Sequence, residues 1–141
     1  MISAAEKSLI ASIFKKSEAH TEQWGEDAIH RLLVVFPQTK AYFSHVDITH
    51  GSAQIRAHGG KVMKAIAQAA ADVDNMSSSL SNLSDLHAYI LRIDPVNFKL
   101  LAHCILVVLA NRLPVDFTPE AHVACDKFLA EVAGVLAQKY R

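Results

Sequence analysis

The sequence predicts an all-α fold of about seven helices, and three observations carry that reading. Apolar residues recur three and four positions apart along almost the whole chain, the period of helices with one buried face. No stretch keeps strand alternation between hairpin turns. Helix start and stop signals punctuate the pattern at Ser3, Pro37, Ser52, Asp94-Pro95, Pro114 and Thr118-Pro119.

Ser3 and Glu6 form a capping box, and the helix behind them runs to about Ser17. A second helix fits residues 21–36 and stops before Pro37, which lacks an N–H and pushes its predecessor out of helical geometry. The segment QTKAYF (38–43) suits one further helical turn, and a loop with Ser44 and Gly51 comes next. A helix from near Ser52 to about Ala71 would bury Ile55, His58, Gly59, Val62, Ile66 and Ala69. The serine-rich stretch after Asp74-Asn75 has the composition of a linker. Leu80, Leu83, Leu86, His87 and Leu91 nevertheless keep helical spacing through it, so it is read as a short, weakly stable helix. Asp94 suits a cap and Pro95 the first position of a helix that runs to about Leu113 and stops at Pro114. Thr118-Pro119 repeats the signal for the last helix, ending near Lys139.

Short connections force sequential helices to cross, which fits a simple up-down bundle poorly. Gly25 and Gly59 support crossing. A glycine inside a helix costs roughly 1 kcal/mol relative to alanine, and close approach of two backbones would offset that.

A chain of 141 residues with 51% hydrophobic content suits one domain, 1–141, with a sizeable core and apolar surface left to line a pocket. Fourteen basic residues balance fourteen acidic ones, which argues against a nucleic-acid or anionic-membrane surface and leaves self-association or a partner open. Glu6 and Lys7 interrupt any signal-peptide run, and the uncharged stretch Leu100–Asn111 is too short to span a bilayer. Cys104 and Cys125 lie in helical patterns and read as buried reduced thiols. The setting expected is cytoplasmic.

Eight histidines are many for this length, and two stand out. His87 and His58 each sit on the apolar stripe of a helical segment. A histidine in a short helix donates from Nδ1–H to a carbonyl of the preceding turn and leaves Nε2 free for a metal. Together the two suggest a flat iron cofactor, bound by one imidazole and guarded on its other face by the second. Taken singly, His87 is more commonly a hydrogen-bonded core histidine, and His58, beside Arg56 and Lys61, a histidine on a helix edge. No HExxH, Cys-x-x-Cys, carboxylate cluster, Gly-x-Ser-x-Gly turn or phosphate-binding glycine loop competes with them.

The segments FPQTKAYF (36–43), HGSAQIRAHG (50–59), LSDLHAYILRIDPVNFKLLAHC (83–104), FTPEAH (117–122), DKFLA (126–130) and the terminal KYR carry a family resemblance. Over all 141 residues, without insertion or deletion, the chain resembles vertebrate haemoglobin alpha-type subunits of the globin family. That resemblance implies the globin fold and haem b (iron protoporphyrin IX), with His87 as the proximal iron ligand and His58 as the distal donor to dioxygen. It implies that Phe43 stacks on the porphyrin, Tyr42 packs near its edge and Val62 limits space beside His58. Leu83, Leu86, Leu91, Ile93, Asn97, Phe98, Leu101 and Leu136 would complete the pocket, with Leu32 and Ile66 deeper inside and His45 and Lys61 at the propionates. The implied function is reversible dioxygen transport in erythrocytes.

The resemblance further implies an α2β2 tetramer with beta-type globin chains. Arg31, Val34, His103, Cys104, Val107, Phe117, Pro119, His122 and Asp126 match its tight contact. Pro37, Lys40, Tyr42, Arg92, Asp94, Pro95, Val96 and Asn97 match the sliding one. Tyr140 and Arg141 match the carboxy-terminal switch, with Arg141 meeting Asp126 and Lys127 of the other alpha-type chain. Quaternary rotation in haemoglobin is a general reference case for such a switch.

Several positions depart from the family pattern. Gln38, Ala41 and Ser44 stand where threonine, threonine and proline are usual, and would alter the balance of quaternary states. Val46 replaces a usual phenylalanine, so looser haem retention is expected there. Met1 at the first position would displace the terminal amine from carbon dioxide and anion effects, and is reminiscent of embryonic or minor alpha-type chains. Two other functions compete. One is a haem redox enzyme (nitric oxide dioxygenase, nitrite reductase or peroxidase), against which stand the lack of room for a reductase domain and of a distal arginine. The other is a cofactor-free helical interaction protein.

Overall fold

The computed structural model describes residues 2–81, 83 and 94–138. Six α-helices and three 3-10 turns are assigned among them, and no strand. Helix α1 spans Ala4–Ser17, and its entry is the capping box expected from the sequence: the Glu6 N–H donates to Ser3 Oγ and the Ser3 N–H to Glu6 Oε1. It buries Ile10, Ile13 and Phe14. Ser17, also buried, turns its hydroxyl back onto the Phe14 carbonyl at 2.6 Å, so no polar atom is stranded there.

Helix α2 spans Thr21–Val35 and ends one residue earlier than the apolar pattern suggests, because Phe36, preceding a proline, sits at φ −124°, ψ 72°. The segment Pro37–Phe43 then winds as a 3-10 helix. Thr39 is buried in it and donates its hydroxyl to the Phe36 carbonyl at 2.7 Å. In the loop 44–52, Gly51 takes φ +87°, open to glycine at little cost, and Ser52 caps α3 (Ala53–Ala71) by accepting the Ile55 N–H.

The serine-rich segment departs most from expectation. It opens with a 3-10 turn, Val73–Asn75, and a four-residue helix α4, Met76–Ser79, which breaks at Leu80. Met76 and Leu80 are buried where the spacing put apolar contacts, and Leu83 is half-buried. Leu86, His87 and Leu91 lie outside the described residues. Helix α5 (Val96–Arg112) starts one residue after the expected position. Pro95 precedes it, and Asp94 Oδ1 accepts the Val96 N–H at 3.0 Å. Helix α6 (Pro119–Ala137) has proline in its first turn and Thr118 as its cap, accepting the Ala121 N–H. Among the described residues no helix is long and apolar enough to cross a membrane.

Helices α2 and α3 share the most extensive contact, and Gly25 and Gly59 lie at its centre. A Cβ built on Gly25 would fall 2.7 Å from Gly59 Cα, and one on Gly59 would fall 2.6 Å from the Glu26 nitrogen and 2.8 Å from the Gly25 oxygen. Real Cβ atoms do not approach backbone so closely, so the two helices touch main chain to main chain. The crossing expected from these glycines is present.

The main core gathers residues from all six helices, with the Phe14 and Phe128 rings tilted against each other at 5.2 Å. A smaller cluster of Ile29, Leu33 and Ile55 sits under the loop, packed by Phe43, Val46 and Ile48. Leu101 touches both. Ion pairs then tie the helices across the surface: Arg112 to Asp27, Lys7 to Asp74 and Lys127 to Glu6.

The last of these has a pH consequence. The hydrogen bond from Lys127, and after it the one from the Ser3 backbone, favour the ionised Glu6 carboxylate and hold its pKa at about 2 against the usual 4.5. A carboxyl lowered on folding adds stability that is present above its unfolded pKa and lost as pH falls through the folded one. The stability difference between wild type and Glu6→Gln is therefore expected to be constant above pH 4.5 and to shrink between 4.5 and about 2. Urea unfolding at stepped pH measures it; a difference that stays constant through that window refutes the assignment.

Candidate functional site

Along α3 the helical period separates two strips. Ile55, Gly59, Met63, Ile66, Ala67 and Ala70 are buried in the core, while His58, Val62 and Ala65 lie along its edge, half-buried. This second strip carries the expected distal position. The His58 ring meets Phe43 edge-on, with centroids 5.5 Å apart and planes at 84°. Phe43 is placed by the 3-10 turn that Pro37 starts, and is supported from behind by the Ile29–Leu33–Ile55 cluster. Ala65 joins the strip without a signal of its own, since a small apolar side chain fits either face.

Large apolar side chains from the other elements share this half-buried state. Leu83, Phe98, Leu101 and Leu136 are neither sealed in the core nor open to water. Leu32 and Ile66, expected deeper, are 5% and 7% exposed. His45 and Lys61, expected at the rim, are exposed. Tyr42 is half-buried, and its hydroxyl accepts the Asp94 N–H at 3.4 Å and Asn97 Nδ2–H at 3.2 Å, so it bridges the 3-10 turn to the start of α5. His87, Leu86, Leu91, Ile93 and Arg92 lie outside the described residues.

Half-buried apolar side chains on several helices, with one histidine among them, suit a flat macrocycle. Among the described residues no three His, Cys, Asp or Glu side chains group to hold a metal. A porphyrin does not need such a cage, because it brings four donors of its own and asks the protein for one axial ligand. The residues present fit the group.

Val46 is half-buried against the small cluster beneath the loop. A valine in this place reaches less far over the pocket's edge than an aromatic ring would.

The positions expected at subunit contacts fall on two surfaces. Gln38, Lys40, Ala41 and Ser44 are exposed along the 3-10 turn, and Val96, at the head of α5, is 51% exposed. On the other side His103, Val107, Pro119 and His122 are exposed and line a shallow groove with Phe117, whose ring lies 5.1 Å from that of His122. Val34 is 64% exposed and Asp126 is exposed. Arg31 is half-buried, with its Nε shielded from solvent and without a hydrogen-bond partner. Cys104 is buried within the chain itself. Burial raises its thiol pKa, with the Arg31 charge opposing, and pushes that of Cys125 up to about 12, so both remain protonated thiols at neutral pH. Lys127 is engaged within its own chain by Glu6 at 2.9 Å, while Tyr140 and Arg141 lie outside the described residues.

Residues 26–136 match the globin family model, from the α2–α3 crossing to the end of α6. The chain belongs to the globin family. This globin is 55% identical to haemoglobin subunit alpha-D of Phrynops hilarii over the full length of both chains. It is 53% identical to haemoglobin subunit zeta of Mus musculus over 96% of each chain, and 52% identical to haemoglobin subunit alpha-D of Meleagris gallopavo over the full length of both. The all-helical globin fold expected from the sequence is thus the fold of this chain.

Proposed function

We propose that this globin, a single domain over residues 1–141, binds haem b and carries dioxygen reversibly as an alpha-type subunit of an α2β2 haemoglobin in the erythrocyte cytoplasm. The observation that carries the reading is the half-buried strip of His58, Val62 and Ala65 on α3, faced by Phe43 within a globin frame. Relatives named as haemoglobin zeta and alpha-D subunits support an embryonic or minor alpha-type role. The redox-enzyme alternative is not favoured, since these relatives are haemoglobin subunits.

Ferrous haem supplies the coordination position that dioxygen takes. The chain's own contributions are separable. His87 would hold the iron. His58, which meets the edge of Phe43, would offer an imidazole N–H to dioxygen. A hydrogen bond offered in a site of low dielectric favours a polar ligand over an apolar one. Val62 restricts the space next to His58. Leu83, Phe98, Leu101 and Leu136 keep water away, which slows oxidation of the metal. Lys61 and His45, both exposed, would meet the carboxylates of the group.

Cooperative exchange needs a partner and a bistable contact. Gln38, Ala41 and Ser44, exposed on and just after the 3-10 turn, are proposed to face the sliding beta-type surface. Arg31, Val34, His103, Val107 and His122 would form the tight one.

An absorption spectrum with oxygen titration, alone and mixed with a beta-type chain, tests the proposal. A Soret band and a Hill coefficient well above one in the mixture are expected. No Soret band after hemin is added overturns haem binding, and a coefficient near one overturns the cooperative tetramer. The Val46→Phe variant is expected to lose hemin more slowly than wild type; equal rates in a transfer assay to excess apomyoglobin would remove Val46 from the account.

A further inference from the structure

One group of titratable side chains joins α2 to the loop 44–52. Glu26 and His30 lie four residues apart on α2 and therefore share a face. His50 approaches them from the loop 44–52. The His30 and His50 rings stack with centroids 4.1 Å apart and planes at 20°, and His50 Nε2 lies 3.6 Å from Glu26 Oε1. The Glu26 side chain is 12% exposed and that of His50 58%. Gly51 lets the chain turn back here, its φ of +87° bringing it past the same carboxylate.

Of the other charged groups on these elements, Glu22, Asp27 and Asp47 have partners of their own. Glu22 pairs with Arg56 of α3, and Asp27 with Arg112 of α5. Asp47 accepts the Thr49 N–H within the loop, and Arg31 bears on Cys104. His45 is exposed at the far end of the loop.

We propose that Glu26, His30 and His50 form a proton-operated latch between α2 and the loop 44–52, closed when the histidine pair holds one proton. With one proton the group is neutral overall: a carboxylate, an imidazolium facing it, and a neutral ring stacked on the imidazolium. A second proton sets two cations face to face, which repel strongly at this separation. Loss of the first leaves a largely buried carboxylate without its counter-charge, which burial penalises. Imidazole is the side chain that changes charge between about pH 5 and 8, so this is the range in which the latch works. Because the loop carries His45 and Val46, opening the latch loosens the edge of the pocket, while the latch itself depends only on α2 and the loop and not on the oxygen-carrier reading.

Amide hydrogen exchange across residues 47–52 of the full-length chain, corrected for intrinsic rates and followed from about pH 5 to 8, tests the latch. Protection is expected to peak in mid-range and to fall about tenfold on the acid side, the change that one pH unit makes to a two-state population. His50→Asn, at a largely exposed position, should abolish the acid fall while leaving protection in α1 and α6 unchanged; His30→Asn serves as the second variant. Protection independent of pH, or an acid fall that survives in both variants, would overturn the proposal.

Discussion

Replacing Gly59 with alanine is expected to destabilise the protein by about 3 kcal/mol, at the upper end of what overpacking usually costs. The added methyl would sit 2.6 Å from the Glu26 nitrogen and 2.8 Å from the Gly25 oxygen, both main-chain atoms of a neighbouring helix. A crowded side chain escapes by changing rotamer; a helix backbone escapes only by moving the whole helix. Gly25→Ala meets the same obstacle from the other side and should cost as much. The double variant should cost far less than twice either change, because once α2 and α3 have separated for one methyl the second meets a gap. Gly134 supplies the control. Nothing lies within 4 Å of a Cβ there, and it is in the last turn of α6, so Gly134→Ala should stabilise by less than about 1 kcal/mol. Urea midpoints with unchanged slopes measure all four variants. A Gly59→Ala protein as stable as wild type would mean that the backbones do not touch.

His87→Gly is expected to have the largest effect on function. Removing even a supporting partner of a metal ligand typically costs 10–100-fold in metal affinity, so removal of the proposed ligand should cost at least about 100-fold in hemin affinity. Added imidazole should restore much of it, since the lost side chain leaves room for the free base. His58→Leu should behave differently, keeping hemin while weakening oxygen affinity and hastening oxidation, because it removes a hydrogen-bond donor and not an axial bond. Hemin titration followed at the Soret band separates the two variants. Equal hemin retention in His87→Gly and wild type would overturn the assignment of His87 as axial ligand.

The fold was legible in the sequence wherever a local rule governs a boundary. The Ser3–Glu6 box, Pro37, Ser52 and Thr118-Pro119 each act within one turn of helix, and each boundary falls within one or two residues of the expected place. Gly25 and Gly59 were legible for a different reason: a glycine within a helix is costly, and its cost points to a neighbour. The serine-rich segment was less so. Apolar spacing through Leu80 and Leu83 located buried contacts but not the break at Leu80, because spacing reports which face is buried and not whether the helix is continuous.

Of the site, His58 and Val62 were legible as members of an apolar stripe. That stripe could not be divided from sequence into a core strip and an edge strip, since residues 58, 62 and 65 differ from 59, 63 and 66 by one step of rotation about α3. Only the packing of α2 against that helix separates them. The Tyr42 bridge to Asp94 and Asn97 and the His30–His50 stack depend on contacts between residues distant in the chain, which no local pattern encodes.

The Gly25–Gly59 contact also indexes the chain. Between two ordinary helices, interleaved side chains allow some slippage, because rotamers absorb a small slide. Here the seat is narrow: a shift of α3 that brought His58 onto Gly25, or a shift of α2 that brought Trp24 or Glu26 onto Gly59, would force a side chain between the backbones. His58 is the next residue along from that seat. Its height along the pocket is therefore set by two residues that have no side chains, much as a pin sets the position of a plate it does not otherwise touch.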